Sequence, residues 1–321
     1  SISRLLGESA VMKKAREEIS RAAADQSTTV LIRGESGTGK ELAARAIHEG
    51  SRRSSMPMVP INCAAIPESL LESELFGHSK GAFTGADRPR EGLLSLADGG
   101  SVFLDEIGEM SPALQAKLLR FLDDGRIMPV GGSKFQKTDV RVIAATNRDL
   151  LAEVEKGTFR RDLYYRLSVI DIELPPLRSR GDDILLLMEH YLNLQATTRG
   201  LEPPVLSPEA RLALMEHSWP GNVRELLNLS VKLVLECSDG QVKRENLSFI
   251  GDANGEFRSR LFNESYEEAK RQIIDDFTST YFLNALVRCN WNIAAAAKES
   301  GINRSYLHRI IRKYGIEVPE L

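Results

Sequence analysis

Short apolar runs recur through the first half of the chain, each followed by a stretch of helical periodicity. TTVLIR (28–33), MVPIN (58–62), SVFLD (101–105), VRVIAA (140–145) and VIDIEL (169–174) are brief and rich in β-branched residues. Helix-length segments such as 41–50 and 112–124 separate them. Continuous apolar strands alternating with helices predict a parallel sheet covered on both faces. The pattern breaks at LPPLRSRGDD (174–183), with two prolines and a glycine, and beyond it only helical periods remain. Ser207-Pro208-Glu209 supplies an N-cap, a first-turn proline and a first-turn acid, and Asn222 after Pro220-Gly221 is expected to cap a further helix. GDANGEFRS (251–259) is polar and glycine-bearing, and the chain turns helical again from about residue 265. The expected units are an α/β domain over 1–174, a helical unit over 175–248, a linker over 249–264 and an all-α unit over 265–321.

GESGTGKE runs directly from the first strand into a helix: Gly34, Glu35, Ser36, Gly37, Thr38, Gly39, Lys40 and Glu41. In that context the glycines let successive backbone N–H groups face an anion at a helix N-terminus. Lys40 is placed to reach the β- and γ-phosphates of a nucleotide. The Ser or Thr that commonly follows this lysine as a magnesium ligand is replaced by Glu41. Asp105 and Glu106 end the apolar run SVFLD, where a parallel sheet presents its ligand site. Asp105 is expected to hold magnesium, and Glu106 to act as general base on the attacking water.

Two further stretches carry signals of another kind. Gly81, Ala82, Phe83, Thr84, Gly85 and Ala86 spell GAFTGA, which fits neither helix nor strand period and leaves one aromatic in a flexible, uncharged loop. GRIMPVGGSKFQ (125–136) places a Gly-Gly turn between short apolar stretches, predicting a hairpin-like loop beside the first. Near the end, WNIAAAAKESGINRSYLHRIIRKYGI (291–316) reads helix, glycine turn, helix, with Asn292 as cap and Gly301 as bend. Leu307, Ile310, Ile311 and Tyr314 form the expected buried stripe, which turns Arg304, Ser305, His308, Arg309 and Arg312 outward. Six basic residues against one acid between 288 and 314 make a local basic face suited to DNA, although the whole chain carries a net charge of −3.

GESGTGKE, ELFGHSKGAFTGA, DGGSVFLDEIGEM, AATNRD, GTFRRDLYYRL, LPPLRSR and WPGNVREL follow one another in this order. With them, residues 5–236 resemble the AAA+ domain of bacterial enhancer-binding proteins, the NtrC-type activators of sigma-54 RNA polymerase. The tail, with GIN-R-x-x-L and KYG, resembles the helix-turn-helix of Fis-type proteins. The resemblance implies an α/β fold: an AAA+ P-loop ATPase with a parallel five-stranded sheet, an α-helical lid and an all-α Fis-type helix-turn-helix domain. It implies ATP and Mg2+ as cofactors, and GESGTGKE with a final glutamate is this family's own version. Asn62 is expected to hydrogen-bond Glu106 and switch its pose, and Asn147 to sense the γ-phosphate. Arg160 and Arg166 resemble arginines offered to a neighbour's nucleotide, while Arg161 is a basic neighbour that the family does not require. Arg224 resembles the lid arginine that reports nucleotide state, and Leu6 and Gly7 help to seat the adenine. GAFTGA is implied to be an insertion in a helix that contacts sigma-54. The implied partners are sigma-54 RNA polymerase holoenzyme, enhancer DNA and further copies of the chain. Reading DNA with two such helix-turn-helix motifs requires a dimer, for which a long helix over about 266–287 is the expected means, and the expected assembly is a hexameric or heptameric ring.

Composition narrows the setting. Hydrophobic residues at 42% and charged residues at 27% describe a globular chain with a sizeable core. Cys63, Cys237 and Cys289 lie too far apart for a zinc or disulfide framework, and read as buried, reduced thiols of a cytoplasmic protein. No apolar run reaches membrane-span length, so no membrane partner is expected. The abrupt start SISRLLGES is compatible with an excised fragment and a regulatory domain upstream. Two other classes compete: a DNA-binding regulator whose ATPase-like domain only binds ligand and oligomerises, and an AAA+ unfoldase or helicase loader. Relatives of the first type lose GAFTGA, and the second lacks a Fis-like tail.

Overall fold

The structure is a computed structural model. It describes residues 5–83, 86–237 and 240–247, and in the C-terminal region residues 271, 278, 282, 286, 289, 293–300 and 302–314. The chain divides into two compact units, Ser1–Ile250 and Gly251–Leu321.

In chain order the first unit opens with α1 (Ala10–Ala24), β1 (Val30–Arg33), α2 (Lys40–Glu49), β2 (Met58–Asn62) and α3 (Glu68–Phe76). The small strands β3 (Gly77–His78) and β4 (Arg90–Glu91) precede α4 (Leu93–Leu96), β5 (Ser101–Asp105) and α5 (Pro112–Asp124). A second small pair, β6 (Arg126–Ile127) and β7 (Gln136–Lys137), leads to β8 (Arg141–Thr146), α6 (Leu150–Glu155), α7 (Arg161–Leu167) and β9 (Ile170–Glu173). The main sheet is parallel throughout, in the order β2-β5-β8-β1-β9.

Alternation along each strand splits the core between the two faces. Leu31, Val102, Leu104, Val142 and Ala144 pack with residues of α3, α5 and α7 on one side. Val30, Ile32, Phe103, Ile143 and Ala145 pack with α1 and α2 on the other. Registers Asn62↔Asp105 and Arg33↔Thr146 bring the carboxyl ends of four strands to one edge of the sheet. Every expected strand is therefore present, with ends moved by a residue or two in β1, β8 and β9.

A separate helical core follows the Pro175-Pro176 hinge: α8 (Asp183–Arg199), α9 (Pro208–Glu216) and α10 (Asn222–Glu236), packed around the fully buried Trp219. Ser207 caps α9 as expected, its Oγ accepting from Ala210 N at 3.2 Å. The segment is not purely helical: β10 (Val205–Leu206) pairs in parallel with β11 (Gln241–Val242). Asn222 also departs from expectation. It begins α10 at φ 53°, after Gly221 at the cap position, and its side chain reaches across to the hinge instead of capping its own helix.

In the C-terminal unit α11 (Ile293–Glu299) and α12 (Arg304–Tyr314) pack around Phe282, Leu286, Ala296, Leu307 and Ile310. Leu307 and Ile310 are buried and Ile311 is partly so, as the stripe predicts. Of the expected dimer helix over 266–287 only residues 271, 278, 282 and 286 are described, and the Asn292 cap, the Gly301 bend and the side chain of Tyr314 lie outside the described residues.

Candidate active site

The phosphate loop folds as its glycines require. Gly37 (φ 80°) and Gly39 (φ 103°) take left-handed backbone angles that favour glycine, and Gly39 stands at the cap position of α2. Thr38 closes the turn, its Oγ1 donating to Glu35 O at 2.8 Å. Lys40 is only 7% exposed and curls over its own loop, with Nζ donating to Gly34 O at 2.9 Å and Glu35 O at 3.3 Å. The same ammonium lies 3.7 Å from Glu106 Oε1, so the loop lysine and the strand-end carboxylate share one site. Glu41 faces outward and pairs with Arg45 one turn along α2 at 2.8 Å, which takes it away from the ligand position its place in the motif suggests.

Asp105 sits at the end of β5, half-buried, with Oδ1 accepting from Glu106 N at 3.0 Å. Burial first, and the charge of Glu106 second, push its carboxyl above the usual range, while Lys40 pulls the other way. Glu106 itself adopts φ 52°, a left-handed angle uncommon for a residue with a side chain. Its Oε2 accepts from the backbone N–H of Asn147 at 3.2 Å. The expected Asn62–Glu106 bond is not what the structure shows. Asn62 is the register neighbour of Asp105, but its Oδ1 accepts from Ala64 N at 2.9 Å and Ala65 N at 3.1 Å. A turn just past a strand leaves N–H groups that a local asparagine satisfies readily, and this short-range arrangement prevails here. Beneath the carboxylates Cys63 is buried, and that burial with the two acids raises its thiol to about 12. It is inert at neutral pH.

The helical lid closes over the loop. Leu5 is buried in the sheet-side core, whereas Leu6 packs on the lid core, so adjacent residues bridge the two halves of the first unit. Gly7 (φ 138°) lies against Asp183 of α8; a Cβ there would come within 2.6 Å of Asp183 Oδ2. Asp183 accepts from Glu8 N at 2.6 Å and Ser9 N at 3.1 Å, pinning this strap to the lid. Arg224 donates to Ser36 Oγ at 2.9 Å, which puts the expected lid arginine on the phosphate loop. A cleft of about 390 Å³ lined by Ser36, Arg224, Asn228 and Lys232 opens beside it. Arg180 of the hinge is buried and donates to Thr38 O at 2.9 Å; burial lowers its guanidinium to about 10.

Arg160 and Arg166 stand apart from this cluster. Arg160 forms a two-pronged pair with Asp162, and Arg166 donates to Leu122 O at 2.6 Å and lies 3.3 Å from Asp123. Both guanidinium groups are exposed, and these partners lie outside the phosphate loop. Arg161 shares a shallow surface cleft with Arg160, Asp162 and Tyr165.

GAFTGA sits between α3 and α4, at the tip of the antiparallel pair β3–β4. Gly81 N donates to Ala86 O at 2.8 Å and Ala82 N to Ser79 O at 3.2 Å, closing the tip; Ala86 is buried. Phe83 is 41% exposed yet held, its ring edge-on to His78 at 5.0 Å. Thr84 and Gly85 lie outside the described residues. The second hairpin forms as expected, β6 against β7, and braces the first. Val130 exchanges backbone bonds with Gly77 and Ser79 at 2.9 Å, and Gly131 fits so closely that a Cβ would meet Ala82 at 2.9 Å. In α12, Arg309 is exposed and His308 partly so, while the side chains of Arg304, Ser305 and Arg312 fall outside the described residues.

Sequence reasoning missed the polar partners that join loop, hinge and lid. Arg178 grips the Glu35 carboxylate with two bonds of 2.8 and 2.5 Å, and together with the Asn222 amide holds its carboxyl down at about 2. LPPLRSR and WPGN hold Arg178 and Asn222, but they read as punctuation and as family motifs, neither of which pairs one with the other.

A glycine loop on a strand, a carboxylate pair ending the next strand but one and a helical lid on the loop define a P-loop ATPase of the AAA+ class. Residues 5–173 match the Sigma-54 interaction domain family, 178–255 the AAA+ ATPase lid domain and 280–314 the Fis family of bacterial regulatory proteins. The chain belongs to the sigma-54-dependent activators, ATPases with a Fis-type DNA-binding domain. It is 42% identical to the response regulator protein PilR of Pseudomonas aeruginosa, over 98% of this chain and 70% of that protein. To the Nif-specific regulatory protein of Azotobacter vinelandii it is 52% identical, over 78% of this chain and 48% of that protein. The crystal structure of NtrX from Brucella abortus in complex with ATP superposes with a TM-score of 0.71 at 35% identity, covering 97% of this chain and 69% of that one.

Proposed function

We propose that this chain hydrolyses ATP within a hexameric or heptameric ring of its own copies and uses the cycle to remodel the closed complex of sigma-54 RNA polymerase holoenzyme. The C-terminal unit holds the assembly at enhancer DNA in the cytoplasm. Among the described residues no helix is long and apolar enough to cross a membrane. The observation that carries the reading is Phe83: an aromatic more than a third exposed, fixed at a hairpin tip by His78 and braced by a second hairpin. A glycine-framed tip presenting one anchored aromatic is a contact tool, since buried aromatic anchors dominate interface energy.

The site's residues divide the labour. Loop N–H groups and Lys40 cradle the phosphates. Asp105 suits magnesium, because a half-buried carboxyl raised by burial and an acidic neighbour is relieved by a cation, which would neutralise phosphate charge. Glu106 accepts the proton of the attacking water, and its bond to Asn147 N ties the base to the sensing asparagine. Asn62, beside Asp105, is the alternative partner toward which Glu106 turns. Arg160 and Arg166 act on a neighbour's nucleotide, and Arg224 carries its state to the lid.

Phe83→Ala and Thr84→Ala will separate hydrolysis from work. ATP turnover and assembly stay near the parent's level, because the tip is remote in sequence from the phosphate loop and the acid pair. Retention of sigma-54 on a native gel with ADP–aluminium fluoride falls by about thirtyfold for Phe83→Ala, the loss of a hot-spot anchor. Promoter opening falls with it. Should both variants hold sigma-54 as the parent does, the loop is a structural turn.

Arg309→Ala will weaken operator binding and leave the ATPase intact when high protein concentration drives assembly. One lost base contact costs about 1–3 kcal/mol. Parental affinity in a gel-shift titration would put another face of α12 in the groove.

A further inference from the structure

We infer that Glu35 and Asn222 form a clasp that sets the position of the lid on the phosphate loop, making both of them positioning residues for nucleotide binding. The inference rests on the ATPase reading of this site and is independent of any contact with polymerase.

Glu35 belongs to the loop by sequence, but its carboxylate turns to the hinge and lid. Arg178 grips both oxygens, and Asn222 Nδ2 donates to Oε2 at 3.1 Å. The same amide donates to Ser36 O at 3.0 Å, and its Oδ1 accepts from Leu177 N at 2.8 Å. One fully buried side chain thus ties loop, hinge and lid turn together, at the left-handed backbone angle of 53° that points it there. Asparagine is among the few residues with a side chain that visit this angle readily.

The clasp is the centre of a continuous seam. Each loop residue from 35 to 38 is bonded to the hinge or the lid: Glu35 to Arg178 and Asn222, Ser36 to Asn222 and Arg224, Gly37 O to Val223 N at 3.0 Å, and Thr38 O to Arg180. A Cβ on Gly37 would come 2.3 Å from Gly221 O, so this glycine leaves room for the lid backbone as well as for its own turn. A loop stitched in this way cannot change shape around an anion without moving the lid turn. Lid displacement equally changes the loop and takes Arg224 off Ser36.

The test exchanges donor and acceptor across the clasp in the full chain. Asn222→Asp keeps the oxygen that Leu177 N uses, but sets a carboxylate against Glu35. ATP affinity by calorimetry should fall about tenfold, with KM rising alongside and kcat at saturation held within about threefold. Adding Glu35→Gln restores the donor–acceptor pair at that contact, with only the Ser36 O bond still unmade, and should recover at least about threefold of the lost affinity. Arg224→Ala should cost less in the Asn222→Asp background than in the parent, since the clasp no longer delivers that arginine. Parental ATP affinity in Asn222→Asp would overturn the clasp. So would a double variant that binds no better than the single one while melting at the parent's temperature. If Asn222→Asp melts well below the parent, Glu35→Ala carries the decision: weakened ATP binding upholds the clasp, and unchanged binding rejects it.

Discussion

Glu106→Gln will bind ATP at least as tightly as the parent and hydrolyse it at least a hundredfold more slowly, the order of magnitude of a lost general base. The amide has the volume and acceptor oxygen of the carboxylate, so the 3.2 Å bond from Asn147 N can persist. The ability to take a proton is lost. Binding has a reason to survive. The charge of Glu106 is one of the two main influences that raise Asp105, and the variant removes it while the phosphate loop stays whole. Asp105 then ionises more readily, which favours a cation beside the phosphates. Lys40 loses the charge of its neighbour at 3.7 Å and is freer to serve the nucleotide. Calorimetric titration with ATP and steady-state phosphate release, on one preparation, check the two halves. Turnover at the parent's rate would remove Glu106 from the chemistry.

The catalytic half of the site was legible because its positions follow from the strand pattern. A parallel sheet lines up the carboxyl ends of its strands, so finding where TTVLIR and SVFLD stop also finds the phosphate loop and the Asp105–Glu106 pair, whereas Asn62 and Asn147 came only with the family resemblance. Side-chain partners follow no such period. Glu35 meets Arg178 from 143 residues away and Asn222 meets Ser36 from 186, and neither residue's spacing along the chain signals it. Asn222 shows the difference most directly. Its amide does accept a backbone N–H at a segment start, as an asparagine beside Pro-Gly should, but the N–H belongs to Leu177 in the hinge. Asn62 errs the other way: a long-range bond to Glu106 was expected, and the local turn took the oxygen. The pair β10–β11 escaped because two-residue strands are shorter than any alternation that could announce them.

Arg160→Ala and Arg166→Ala will each lose hydrolysis, by about 10³-fold or more if they act as arginine fingers, and mixing either with Lys40→Ala will restore part of it. Each arginine stands on the surface with partners outside its own phosphate loop: Asp162 for Arg160, Leu122 O and Asp123 for Arg166. The Arg160–Asp162 pair is exposed on both sides, so giving it up for a phosphate on a neighbouring copy costs little. Arg166 must also leave a carbonyl, so its substitution perturbs the α5–α7 contact as well and should lower melting temperature slightly more. In a ring built head to tail, each site takes its pocket from one copy and its arginine from the next. An equimolar random mixture of Arg160→Ala and Lys40→Ala proteins pairs an intact pocket with an intact arginine at about one interface in four, which bounds the recovery near a quarter of the parent's rate. Mixed rings identified by native mass spectrometry that hydrolyse no more than either variant alone would mean that the arginines act within their own chain.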